Sequence, residues 1–122
     1  MDLQAQADEF RHCYEVRNDS SNRQMQRGLV REEFNEFLHA TSAMFFDEGA
    51  PADALKELAD LVYVCFQYAE NEEWDLLEAL NRVHKSNMSK LGPDRKPIRR
   101  DDGKILKGPD YQPPNLDDLC NL

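Results

Sequence analysis

The sequence predicts an all-α protein: a four-helix, bundle-like subunit followed by an irregular, basic C-terminal tail. Three observations lead there. Large aliphatic and aromatic side chains recur every three or four residues through four segments. Glycine is scarce between residues 29 and 91. No segment alternates apolar and polar residues strongly enough to compete as a strand. At 122 residues the chain is one domain by length, and so small a core gains from being completed by a partner subunit.

The elements follow in order. Leu3, Ala7, Phe10 and Tyr14 recur at helical spacing, and the polar cluster from Asn18 to Asn22 ends that first helix while offering N-caps to the next. Leu29, Val30, Phe34, Phe37 and Leu38 mark a second, longer helix from about Asn22 to Phe46, stopped by Gly49 and Pro51. Pro51 suits the first turn of a third helix, because its fixed φ is already helical and its missing N–H is not needed there. That third segment, Ala54 to Ala69, contains the run from Leu61 to Phe66, which periodicity alone assigns to neither helix nor strand. Its length and its flanking Ala, Leu, Lys and Glu decide for helix, and its nearly all-round apolar surface makes it the expected buried centre. Asn71 offers an N-cap for a fourth helix through Trp74, Leu77, Leu80 and Met88 to Leu91, where Gly92-Pro93 ends it. Beyond Gly92, seven prolines and glycines punctuate a stretch without hydrophobic period. The expected division is thus a helical domain at 1–92 carrying the site and a tail at 93–122 that serves as a lid or a partner-embracing arm.

The net charge of −9 is unevenly spread: residues 82 to 107 hold nine Lys and Arg against three Asp. An acidic body with a basic tail fits a polyanion held through divalent cations on one side and by direct lysine or arginine contacts on the other. Taken alone, the charge is better read as a solvated acidic surface, and it disfavours a nucleic acid polymer as partner. No apolar run approaches the roughly 20 residues of a membrane span. The opening Met1-Asp2-Leu3-Gln4 lacks the basic-then-apolar layout of a secretory signal, so a soluble, cytoplasmic protein is expected. Cys13, Cys65 and Cys120 form neither a disulfide framework nor a thiolate zinc site, and read as reduced thiols, two of them filling the core. His12, His39 and His84 show no ligand spacing and read as surface residues.

Two acidic pairs carry the chemistry. Glu33 lies one turn from both Leu29 and Phe37, so it interrupts an apolar stripe, and a carboxylate so placed costs several kcal/mol unless it is neutralised, paired or bound to metal. Glu36 shares that edge of the helix, and Glu57 and Asp60 are neighbours on one face of the third helix. Either pair alone is ordinary helix surface. Converging, they form the oxygen-rich set that Mg2+ selects, holding it with a few carboxylates plus water and substrate phosphates.

The pattern Glu32-Glu33-x-x-Glu36, a 20-residue interval and Glu57-x-x-Asp60 resembles the signature of MazG-like all-α NTP pyrophosphohydrolases, the superfamily that includes phosphoribosyl-ATP pyrophosphohydrolase. The run from Asn81 to Leu91 and the tail from Gly103 to Pro114 resemble one branch of it. The resemblance implies a homodimer or homotetramer that uses Mg2+, or Mn2+ in its place, to cleave nucleoside triphosphates to monophosphate and pyrophosphate. It implies Glu33, Glu36, Glu57 and Asp60 as metal ligands. Glu32 would complete the cluster or orient the attacking water, and so joins Glu33 as a catalytic candidate.

Cationic and amide donors for the phosphates are Lys85, Asn87 and Lys90 on the fourth helix and Lys104 and Lys107 in the tail, each of which also fits a solvated surface. The Gly103-Lys104 step has no P-loop frame around it and reads as a flexible clamp, or as a tail packed on a neighbouring subunit. A di-iron carboxylate bundle would need the Glu-x-x-His step of Glu36 and His39 a second time, and it is missing. The remaining alternatives are a phosphoribosyl-ATP substrate and a non-enzymatic helical module whose acids are merely solvated.

Overall fold

The computed structural model describes residues 1–120. It contains four α-helices: α1 (Leu3–Cys13), α2 (Arg23–Phe45), α3 (Pro51–Glu72) and α4 (Leu76–Met88). Among the described residues the only β-type pairing outside them is a single antiparallel bridge between Arg99 and Ile105, so the all-α expectation holds. No helix among them is long and apolar enough to cross a membrane. The chain separates into two compact units, Met1–Asp75 and the segment from Leu76 onward.

In the first unit α3 packs along α2 and against α1. Asp2 caps α1, its Oδ1 accepting from the Ala5 N–H at 2.8 Å, and Asp19 caps a short 3-10 turn at Ser20–Asn22 that leads into α2. Gly49 closes the α2–α3 hairpin where a Cβ would sit 3.0 Å from that of Ala43, and Pro51 opens α3 as expected. The expected N-cap at Asn71 is wrong. Asn71 lies inside α3, which runs on to Glu72 and is ended by Glu73 in the left-handed conformation at φ 59°. Its side chain works inward instead: the amide donates to the Asp19 carbonyl at 2.9 Å, and Oδ1 accepts from Arg11 at 2.9 Å.

Arg11 is 3 % exposed and is the polar centre of this unit. All five of its N–H groups are used. Nε donates to Asn18; one terminal nitrogen donates to Gln26 and to the carbonyl and side chain of Gln67; the other donates to the Arg17 carbonyl and to Asn71. Burial holds this guanidinium below its ordinary pKa, with Glu70 and Asp19 pulling the other way. The buried apolar set of this unit is small: Ala7, Ala54, Phe66 and Ala69.

The expected all-round burial of α3 does not hold in the single chain. Leu55, Leu58 and Val62 form an exposed stripe, and Phe34, Leu38 and Phe45 do the same on α2. Nor are two cysteines core residues: Cys13 and Cys120 are exposed, and Cys65 is half-buried, its thiol pKa raised by burial. All three histidines are exposed, as expected.

In the second unit α4 ends at Met88, a turn before the expected Leu91. The tail is irregular yet tied down. The Gly108 N–H donates to the Lys90 carbonyl at 2.8 Å, and a Cβ on Gly108 would sit 2.6 Å from the carbonyl oxygens of both Lys90 and Leu91. The Gln112 N–H donates to Ser89 Oγ at 2.9 Å. Arg82 grips Asp118 with two bonds, at 2.6 and 3.0 Å. Between these ties, residues 98 to 106 form a small hairpin turning at Gly103, whose φ is 91°.

Candidate functional site

The helical hairpin of α2 and α3 brings acids together. Each of Glu33, Glu36 and Glu57 offers a carboxylate oxygen, and the three oxygens lie within 4.8 Å of one another. Glu33 and Glu57 are half-buried, and each keeps Oε2 away from solvent without a hydrogen-bond partner. A shielded carboxylate oxygen with nothing to accept from carries a desolvation cost that neither helix offsets. The Glu33 carboxyl accordingly stands above its ordinary pKa, first through desolvation, then through a hydrogen bond with Glu36 and the negative charges of Glu36, Asp60 and Glu57.

The other two acids are placed differently. Asp60 is near enough for its charge to act on Glu33, but its Oδ2 is bound by Lys56 at 2.7 Å, and the same ammonium stands 3.6 Å from Glu57. Glu32 is exposed and lies outside the close trio. Lys56 was missed in the sequence, although its i, i+4 relation to Asp60 is the spacing at which a helix pairs opposite charges. The donor set fits a hard divalent cation: hard carboxylate oxygens from two helices, two of them with unused accepting capacity.

The cationic candidates lie in the second unit. Lys85, with Arg82, Ser86, Ser89, Gln112, Pro113 and Pro114, lines an open cavity of about 440 Å³. Asn87 is exposed; Lys90 is half-buried, its backbone carbonyl taken by Gly108. Lys104 is exposed beyond the hairpin turn, and the Lys107 ammonium lies 4.8 Å over the Tyr111 ring.

The model of the phosphoribosyl-ATP pyrophosphohydrolase family matches residues 4–87. The chain belongs to that family. The match takes in all five acids with Lys85 and Asn87, and stops short of Lys90, Lys104 and Lys107. No curated protein matches the chain. Membership in the phosphoribosyl-ATP pyrophosphohydrolase family places the chain in the all-α NTP pyrophosphatase superfamily and supports hydrolysis of an acid anhydride bond in a nucleotide-like substrate.

Proposed function

We propose that this chain is a MazG-like pyrophosphohydrolase that cleaves nucleoside triphosphates to nucleoside monophosphate and pyrophosphate, using Mg2+, or Mn2+ as a substitute. The observation that carries the reading is the pair of shielded, unpartnered oxygens on Glu33 and Glu57, in contact range of a third carboxylate. Glu33, Glu36 and Glu57 would hold the cation, with Asp60 joining once Lys56 releases it. Such an ion neutralises the nonbridging phosphate oxygens and lowers the pKa of bound water.

The chain's own groups do the rest. Glu33, its pKa raised by desolvation and by neighbouring negative charges that the cation would offset, serves with Glu36 and Glu57 as an oxygen ligand. Glu32, exposed beside them, accepts a proton from the attacking water. Lys85, Asn87, Lys90, Lys104 and Lys107, of this chain or of a second copy, are the donors proposed for the phosphates, lysine acting as a point charge. A second copy of the chain covers the open stripes of α2 and α3, giving a homodimer or homotetramer.

The family match itself favours a second reading, in which phosphoribosyl-ATP is the substrate and the same bond is cut. One experiment separates the two: incubate the protein with single nucleoside triphosphates, deoxynucleoside triphosphates or phosphoribosyl-ATP, with Mg2+ or with EDTA, and follow pyrophosphate. Metal-dependent pyrophosphate from a triphosphate supports the first reading, and release from phosphoribosyl-ATP alone selects the second. Orthophosphate with a diphosphate product, or no release from any compound, overturns both.

A further inference from the structure

Along α3, Tyr63 follows Asp60 by three residues and Glu57 by six, which sets it about 9 Å further along the axis than Glu57 at 1.5 Å per residue. There it forms one wall of an open cavity of about 730 Å³ with Gln6, Glu9, Phe10 and Cys13 of α1, with Tyr14 just beyond its end and with Met1. The rings are grouped: Phe10 and Tyr14 have centroids 4.6 Å apart, and Tyr63 meets Phe10 edge-on at 5.7 Å. Tyr14 is 70 % exposed, an aromatic face open to the cavity. The Glu9 carboxylate and the Gln6 amide are exposed, and neither side chain is engaged by another described residue.

We infer that this aromatic pocket takes the base of the nucleotide whose phosphates lie at the acid cluster, and that Glu9 makes guanine the preferred base. The inference rests on the triphosphate reading above. Every base offers a π-face, so stacking on Tyr14 gives affinity without choice. Choice comes from the rim. A carboxylate only accepts, and guanine presents two adjacent donors, N1–H and the N2 amino group, to one carboxylate. Thymine and uracil offer a single N3–H between two carbonyl oxygens, which a carboxylate repels. The Gln6 amide, donor and acceptor at once, is left for the remaining edge atoms.

The test uses the full chain and two variants, Y14A and E9Q, with dGTP, dCTP, dATP and dTTP under Mg2+. Y14A is expected to raise KM about tenfold for every base with a far smaller effect on kcat, the loss on removing one stacking platform. E9Q is expected to lower the preference for dGTP over dTTP by a similar factor. Cys13 lines the pocket and Cys120 is exposed elsewhere, so alkylation by iodoacetamide gives a readout that needs no turnover. Millimolar guanosine, without metal, slows modification of Cys13 and leaves Cys120 unaffected. If no triphosphate is hydrolysed yet guanosine protects Cys13, the pocket stands and the proposed reaction falls. Unchanged KM values in Y14A, unprotected Cys13, or a change of oligomeric mass in Y14A without a change in KM would overturn the base pocket.

Discussion

Glu33 has a carboxylate oxygen shielded from solvent and without a partner, and three further carboxylates lie near enough to act on its charge. Replacing it with glutamine removes the charge while keeping the shape. Turnover in E33Q is expected to fall at least a hundredfold, because charge stabilisation worth several kcal/mol is lost at about 1.4 kcal/mol per tenfold. The melting temperature in EDTA is expected to hold or rise, and a fall would show the carboxylate to be structural. Glu72 behaves oppositely. Arg23 binds it with two hydrogen bonds, at 2.7 and 3.0 Å, and these hold its carboxyl below the ordinary 4.5. With the folded pKa below the unfolded one, the native state binds fewer protons in the acid range. The pair's contribution is therefore complete above the unfolded value and is lost as pH falls through the folded one. Urea midpoints of the wild type and E72Q should differ slightly at pH 7, the arginine being exposed, and converge in acid.

At the scale of elements, α1 is held to α2 and α3 chiefly through Arg11 and its neutral partners. R11A leaves the side-chain oxygens of Gln26, Gln67 and Asn71 buried without their donor, at about 1–3 kcal/mol for each unsatisfied group. A loss of at least 3 kcal/mol, read from denaturant midpoints, is expected. None of this network was legible in the sequence, where Arg11 stands in the last turn of a helix that fits surface chemistry equally well and its partners on α2 and α3 lie 15 to 60 residues away. Asn71 was misread for the same reason: an asparagine near a helix boundary is a cap by local rules, and only the distant Arg11 and Asp19 explain why it sits inside α3. The helices were legible because apolar period is local, and so was Glu33, because Leu29 and Phe37 one turn away fix its face. The ties of the tail were not. Gly108 is required by the approach of the Lys90 and Leu91 carbonyls, a contact with no periodic signature.

For the molecule as a whole, the shortage of buried apolar side chains is the dominant fact. The stripes Leu55-Leu58-Val62 and Phe34-Leu38-Phe45 leave more apolar surface open than an isolated small domain commonly tolerates. Light scattering is expected to return two or four times the chain mass, and L55E to shift the protein toward monomer; a monomeric wild type at micromolar concentration would contradict this. Lys56 bears on how such a chain survives before any ion arrives. Its ammonium already sits against Asp60 and Glu57, so the hairpin of α2 and α3 closes over mutually repelling acids with a resident counter-charge in hand. That counter-charge offsets part of the repulsion among the acids, and a divalent cation of the kind proposed above would have to displace the ammonium from Asp60 before this carboxylate could join its ligands.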